Sequence, residues 1–470
     1  MRGEVGVDRE ADETALGDLS VEALAEIEHQ GDPRPSIERA RLRSTSMTSK
    51  ASSRRGVQLV LVMVGLPARG KTHIARRVSR YLSWLGYSTR VFNVGNYRRE
   101  KLGSQQPHGF FDPENSEGRA QRAEVAKVAL EDVVQWMSEG GEVGIYDATN
   151  TTKDRRRAVE VRCRAAGLDV VFIESLCEDE AVIASNIRQT KLHMPDYAGM
   201  DPDDAVTDFR ARIAHYASAY QPLEPDEGSY IKLIDVGREL VAHKIQGYLP
   251  SRLVYFLMNL HPIPRSVYLT RHGESVFNAE GKIGGDSALS LRGEAFAKRL
   301  GSWANERLTG TDAVLWTSTL KRTIDTSQHF DRPHTEVRAL DEISAGDCDG
   351  MTYDEIRSDM SGEFEARRKD KFDYRYPRGE SYRDVIRRLE PVIVEIERER
   401  APVFIIAHQA VLRALYAYLM DQPPKECAHL PMPLHTVIEL VPTTYGCADE
   451  RHFLGPETLD EHAPRDSLHP

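Results

Sequence analysis

Gly65-Leu-Pro-Ala-Arg-Gly-Lys-Thr72 is the stretch on which the reading of this chain turns. It follows the apolar run Val57-Gln-Leu-Val-Leu-Val-Met-Val64, which reads as a buried strand of a parallel sheet. After it, Ile74, Val78, Tyr81, Leu82 and Leu85 recur at helical spacing. Strand, glycine-bounded loop and helix together make a G-x-x-x-x-G-K-[ST] phosphate loop. Gly65 and Gly70 let the backbone wrap so that its N–H groups, Arg69 among them, face an anion at a helix N-terminus. Lys71 is placed to neutralise β- and γ-phosphate oxygens, and the Thr72 hydroxyl to ligate Mg²⁺. A nucleotide site, with Mg²⁺, is the expectation.

The chain has 470 residues, enough for two to three domains. Hydrophobic residues at 40% build ordinary cores, and a net charge of −11 argues against a nucleic-acid partner, which asks for a basic face. A phosphate-handling enzyme of this charge must concentrate its cations in clefts. The five cysteines are scattered and never spaced C-x-x-C, so they read as reduced thiols and not as a disulfide or zinc framework. No apolar run reaches ~18 residues and no secretory leader is visible, so no membrane is expected and the cytoplasm is the expected setting.

Residues 1–55 are polar and end in the basic, serine-rich Arg41-Leu-Arg-Ser-Thr-Ser-Met-Thr-Ser-Lys50, which reads as a disordered tail. Arg43 lies three residues before Ser46, a spacing that a protein kinase acting on the tail accepts; an unmodified solvated tail fits equally well. From 56 to 251 strand and helix alternate: strands at Thr89–Val94, Glu142–Asp147, Asp169–Glu174 and Tyr230–Asp235, helices at Val125–Met137, from Lys153, and at Ala181–Gln189. That order implies βαβ units, a parallel sheet covered on both faces, and ligands at the carboxyl ends of its strands. Asp147 closes such a strand; it can hold Mg²⁺ or its water, or accept a hydroxyl proton. An N-cap role suits Thr152 better. Arg98, Arg99, Arg122, Lys191 and Arg212 read singly as solvated charges and together as a receptor for a phosphorylated substrate.

A connector, 252–265, carries Leu253–Leu260 and ends at Pro262 and Pro264. A second α/β unit, 266–448, opens with the strand Ser266–Thr270 running into Arg271-His-Gly-Glu274, and its strand Pro402–Ala407 ends in His408-Gln409. One R-H-G is a weak signal. Two histidines beyond strand ends, with Arg322 and Glu342, are a strong one. A neutral imidazole flanked by arginines can attack phosphorus, and Glu342 can protonate the leaving alkoxide. After about Val441 the chain turns polar, and 449–470 reads as a mobile tail.

Gly65–Thr72 with Asn96-Tyr-Arg-Arg-Glu100, Phe110-Phe-Asp112, Asp147-Ala-Thr-Asn-Thr151, Ile187-Arg-Gln189 and Pro195-Asp-Tyr197 resembles the kinase half of the 6-phosphofructo-2-kinase/fructose-2,6-bisphosphatase family. Arg271–Ser275, Gly284-Gly-Asp286, Tyr374-Arg-Tyr-Pro377, Gly379-Glu-Ser-Tyr382 and His408-Gln-Ala410 resemble its phosphatase half, of the histidine phosphatase (phosphoglycerate mutase-like) superfamily. The resemblance implies an α/β chain of two domains, a P-loop NTPase-type parallel sheet followed by a histidine-phosphatase domain. It implies transfer of the γ-phosphoryl of Mg-ATP to the 2-hydroxyl of fructose 6-phosphate, and hydrolysis of fructose 2,6-bisphosphate back to fructose 6-phosphate. By it, Lys191 reaches the transferring phosphate, and Arg98, Arg122, Arg212 and Tyr216 receive the sugar phosphate with Thr149 nearby. His272 takes the 2-phosphoryl group; Arg271, Arg322 and His408 stabilise it, Asn278 assists and Glu342 is the acid. Tyr353, Arg367, Lys371, Gln409 and Arg413 grip the 6-phosphate end. A homodimer is also expected. Lys191-Leu-His-Met-Pro195 departs from the family's commoner small-residue loop and puts the kinase's lid geometry in question. A kinase fused to a phosphoglycerate mutase is the rival enzyme. A dormant sugar-phosphate sensor is the rival non-enzyme, and it predicts loss of Lys71 or His272, both of which are present.

Overall fold

β1 (Leu59–Val64) is buried at every position because it lies at the centre of a sheet covered on both faces. The computed structural model describes residues 58–188, 194–235, 237–261, 265–443 and 446–455. β2 (Thr89–Asn93), β3 (Val143–Asp147), β4 (Asp169–Leu176), β5 (Ser229–Ile234) and β6 (Glu239–His243) complete the sheet in the order β2-β3-β1-β4-β5-β6. All pairs are parallel except β5–β6. The strand order reverses beside β1, where the phosphate loop leaves the sheet, and an open α/β sheet gathers its ligands there.

The second sheet follows the same logic. β7 (Val267–Arg271), β8 (Val314–Thr317), β9 (His334–Glu336) and β10 (Val403–Ala407) are parallel, with β10 between β7 and β8. β11 (Thr436–Thr443) and β12 (Gly446–Phe453) add an antiparallel edge on β7. The mobile tail expected after Val441 is therefore corrected in part: Gly446–Phe453 form a strand, the boundary expected at 448 falls inside β12, and residues 456–470 lie outside the described residues. The backbone of β12 pairs with β11 whatever its side chains are, so the polar composition misled. The connector boundary at 251/252 likewise falls inside the helix Tyr248–Met258. The helix expected at Val125–Met137 begins at Ser116, where the Asn115 side chain accepts from the Gly118 N–H at 2.8 Å. Pro391 lies inside the helix Tyr382–Arg398 at an exposed position. The expected N-terminal tail lies outside the described residues.

The two sheets share one apolar core, which runs from Leu61 and Met63 through Tyr81, Phe256 and Leu257 to Leu389, Ile393 and Leu415. The helix Lys71–Trp84 crosses between the halves. Tyr81 stacks on Phe256 at 4.1 Å and donates to Glu390, and Trp84 Nε1 donates to the Ala414 carbonyl at 3.2 Å. At the centre is Glu397, 1% exposed, which pairs with Arg77, accepts from Arg80 at 2.8 Å and from the Tyr418 hydroxyl at 2.5 Å. Burial works to raise this carboxyl, but Arg77, Arg80 and Tyr418 outweigh it and hold it at about 2.

Removing the charge leaves two guanidiniums beside a buried neutral group. Glu397→Gln should cost about 3–5 kcal/mol of stability, read as a lower denaturant midpoint at neutral pH. Because the folded carboxyl titrates below its unfolded value of about 4.3, its contribution is full above that pH and fades as pH falls toward 2. The gap between wild type and variant should close over that range. A gap that stays constant would show that Glu397 contributes by shape alone.

Candidate active sites

The phosphate loop forms where the sequence places it. Gly65 has φ 132°, and a Cβ there would lie 2.5 Å from the Ser175 carbonyl, so only glycine lets β1 turn this close to β4. Gly70, at φ 80°, starts the helix Lys71–Trp84. Lys71 is buried and folds back over the loop to donate to the Leu66 carbonyl at 2.6 Å. The Asn186 amide holds the Ala68 carbonyl at 3.0 Å, and the Ser175 hydroxyl holds that of Arg69. Asp147, 3% exposed at the end of β3, accepts from the Asn93 amide at 2.5 Å through one carboxylate oxygen. Its other oxygen is left for a ligand. A glycine-lined anion cradle with a lysine, a hydroxyl and a carboxylate fits a nucleotide with its divalent cation.

One cavity of about 1620 Å³ joins this loop to the cations. Arg69, Gly70, Lys71, Thr72, Asp147, Thr149, Arg98, Arg122, Arg212 and Tyr216 all line it, so the structure brings these expected residues together. Arg98 donates to Asp196 at 2.5 Å and Arg99 to the same carboxylate at 3.0 Å. Burial, and then Arg212, push the Arg98 guanidinium below its ordinary value. Arg122 donates to the Phe110 carbonyl, in the turn His108–Phe111. Lys191 lies outside the described residues.

The second site sits beyond β7 and β10. His272 and His408 are 3% and 0% exposed, with ring centroids 5.0 Å apart. The hydrogen bond of 2.7 Å between His272 Nδ1 and its neighbour's carbonyl at Gly273 requires a proton on Nδ1. Nε2 then keeps a lone pair, toward which Arg322 Nε donates at 3.1 Å. Burial, Arg322 and Arg271 hold His272 well below its ordinary pKa, and burial, Arg322 and His272 do the same for His408. Both rings are neutral near pH 7, as a nucleophile must be. Arg322 also donates to the Gly285 carbonyl at 2.7 Å and Arg271 to that of Met432 at 3.0 Å. Glu342 Oε1 accepts from the N–H groups of Ile343 (2.9 Å) and Ala410 (3.2 Å). Asn278 uses its oxygen in a capping box with Ser275 and has its Nδ2 to offer.

A distal cluster holds Arg367, Lys371 and Arg413. Tyrosine hydroxyls anchor the arginines: Arg367 donates to Tyr376 (2.8 Å) and Tyr353 (3.0 Å), Arg413 to Tyr382 (3.1 Å). Burial, Arg367 and Arg413 push Lys371 down to about 7, the mark of a pocket that wants an anion. Gln409 opens the helix Gln409–Leu419, one residue past His408.

Some functional groups escaped the sequence reading. Arg155 lines the first cavity and donates to Asn150 Oδ1 at 3.1 Å. Ser318 shares a hydrogen bond of 2.8 Å with His408 Nε2. Asp196 was visible only as a motif letter, and its pairing with Arg98 needed the fold.

The 6-phosphofructo-2-kinase family matches residues 46–264, and the histidine phosphatase superfamily (branch 1) matches 267–453. A 6-phosphofructo-2-kinase/fructose-2,6-bisphosphatase of Arabidopsis thaliana is 51% identical over 407 residues, covering 84% of this chain and 54% of that protein. Form 3 of the Rattus norvegicus enzyme is 46% identical over 411 residues, covering 86% of this chain and 74% of its own. The chain belongs to the 6-phosphofructo-2-kinase/fructose-2,6-bisphosphatase family. It spans about half the length of the Arabidopsis relative. Family membership makes it a kinase–phosphatase of two α/β domains, whose kinase half uses a nucleotide. Among solved structures, a putative alpha-ribazole-5'-P phosphatase from Escherichia coli is 22% identical, with a TM-score of 0.37, over 41% of this chain and 97% of its own. Among the described residues, no helix is long and apolar enough to cross a membrane.

Proposed function

We propose that the chain makes fructose 2,6-bisphosphate from fructose 6-phosphate and ATP, and hydrolyses it back to fructose 6-phosphate and phosphate, setting the level of a regulator of glycolysis and gluconeogenesis. The observation that carries the reading is the neutral His272, with its Nε2 lone pair toward Arg322, in the same chain as a phosphate loop that shares its cavity with Arg98 and Arg212. In the first site Thr72 and Asp147 would hold Mg²⁺, which draws charge from the transferring phosphoryl group. Lys71 and the loop amides orient the nucleotide phosphates. Arg98, Arg122, Arg212 and Tyr216 hold the sugar phosphate, and Lys191 reaches toward the transferring group. Asp147 is also placed to accept the proton of the attacking 2-hydroxyl.

In the second site, His272 Nε2 forms a bond to the 2-phosphorus as the bond from phosphorus to the sugar oxygen breaks. Glu342 gives that oxygen its proton. Water then attacks the phosphohistidine, Glu342 takes back a proton, and phosphate leaves with Nε2 restored. Arg271, Arg322 and His408 bind the phosphoryl oxygens, with Asn278 assisting. Tyr353, Arg367, Lys371, Gln409 and Arg413 hold the 6-phosphate. A homodimer in the cytoplasm and a protein kinase acting on the basic N-terminal serines complete the proposal. Sedimentation equilibrium and kinetics after deletion of residues 1–55 check those two points.

The two activities should part cleanly. Lys71→Met should abolish synthesis and leave hydrolysis within a few-fold. His272→Ala should leave synthesis intact and take no label from fructose 2,6-bisphosphate labelled at its 2-phosphate. Glu342→Gln should slow phosphoenzyme formation by ~10²–10⁴ and weaken binding far less. Label recovered on any residue other than His272, or returned to a phosphoglycerate, would overturn the mechanism.

The hydrolase should also lose affinity as pH rises past neutrality. Below about 7 Lys371 is charged in the empty pocket; above it the amine is neutral, and binding the 6-phosphate must draw a proton from solution. kcat/KM should fall toward tenfold per unit above that pH. Lys371→Arg keeps its charge throughout. It should flatten this limb; identical profiles would exclude Lys371 as its cause.

A further inference from the structure

Phe111 is 2% exposed and lies close to two cations. The Arg212 guanidinium carbon lies 3.7 Å from its ring centroid and that of Arg98 at 5.4 Å, and the Tyr216 ring is 5.9 Å away. Arg212 has no carboxylate partner among the described residues, and its Nε is buried without a hydrogen bond. Arg98 gives one terminal nitrogen to Asp196, while its Nε and other terminal nitrogen are buried and unpartnered. A planar guanidinium carries its N–H donors in its plane and can be held from above by an aromatic face. A carboxylate would occupy those same donors.

We infer that Phe111 is a positioning residue of the sugar-phosphate receptor, holding Arg212 by its face in place of a counter-ion so that the in-plane donors of Arg212, and those of Arg98 that Asp196 does not take, stay open to a phosphate ester. This rests on the kinase reading of the cleft. The turn that carries the ring is itself fixed. Arg122 donates to the carbonyls of Phe110 and, at 3.4 Å, Asp112, and the Asn115 amide donates to that of Gly109 at 3.0 Å. His108 Nδ1 and His215 Nε2 meet at 3.2 Å, which ties the turn to the helix Pro202–Ser218 that carries Arg212 and Tyr216. Phe110 packs edge-on to Phe111 at 5.1 Å. Arg122 thus serves the receptor partly through the backbone that aims Phe111.

The test compares Phe111→Leu and Phe111→Met, which fill the space without a π face, with Phe111→Tyr, which keeps it. In the full chain, KM for fructose 6-phosphate should rise about tenfold in the Leu and Met variants, the loss expected of one desolvated cation–π contact. KM for ATP and the hydrolysis of fructose 2,6-bisphosphate should stay within about twofold, and the Tyr variant should stay near wild type on every measure. Hydrolysis at the second site reports folding, and the Met variant decides the matter if the Leu variant fails to fold. An unchanged KM for fructose 6-phosphate, or a parallel rise in KM for ATP, overturns the role of the ring. A wild-type chain that does not phosphorylate fructose 6-phosphate overturns the kinase reading and this inference with it.

Discussion

One buried carboxylate holds the two halves in register. Glu397 lies in the last turn of the helix Tyr382–Arg398, and Arg77 and Arg80, three residues apart, present one face of the helix that begins at the phosphate loop. Taking three charges out of water is costly, and only the doubled pairing and the Tyr418 hydroxyl offset it. What the arrangement supplies is position. An apolar junction alone would tolerate sliding of one helix along the other, whereas a carboxylate shared by two guanidiniums fixes rotation and height. The same helix Lys71–Trp84 therefore anchors the nucleotide cradle at one end and meets, through Trp84 and Ala414, the helix that starts beside His408 at the other.

Both cation clusters meet a charge problem with few acids. A phosphate receptor needs several cations close together, and unpaired they repel one another. Carboxylates would neutralise them but would compete with the ligand. In the kinase cleft Phe111 faces Arg212 and Arg98, with Asp196 taking only part of Arg98. In the phosphatase pocket the hydroxyls of Tyr353, Tyr376 and Tyr382 hold Arg367 and Arg413. Burial, together with the remaining repulsion from Arg367 and Arg413, pushes Lys371 down to about 7. A chain with a net charge of −11 thus keeps local cation fields by surrounding them with aromatic and neutral groups.

What could be read from the sequence was what depends on local chemistry. Gly65–Thr72 announces itself through its strand–loop–helix pattern, whereas Arg271-His-Gly gains weight only beside His408, Arg322 and Glu342. The parallel strands β1, β4 and β10 read as apolar runs because both their faces are covered. The antiparallel edges were hidden for the opposite reason: β6 and β12 are largely exposed, and nothing in Gly446–Phe453 alternates cleanly. The site partners that went unread act across the fold. Ser318 lies 90 residues from His408, and Asp196 lies 98 from Arg98. No spacing rule connects such pairs.

The proposed nucleophile, His272, shows how short-range and long-range determinants meet. The proton on His272 Nδ1 is fixed by the very next carbonyl, Gly273, so the tautomer is a property of the local turn. A Cβ at Gly273 would lie 2.6 Å from the Gly293 carbonyl, so glycine is what lets the turn pass this close to the helix Leu291–Arg307. That the ring stays neutral is a long-range property, set by its burial with Arg322 and Arg271. Either condition alone is insufficient: a protonated ring has no lone pair, and a neutral ring of the other tautomer turns its N–H toward phosphorus. The cations that depress the histidine are also those proposed to receive the phosphoryl oxygens, so on that proposal the arginines that make His272 a free base would also screen the charge it must approach.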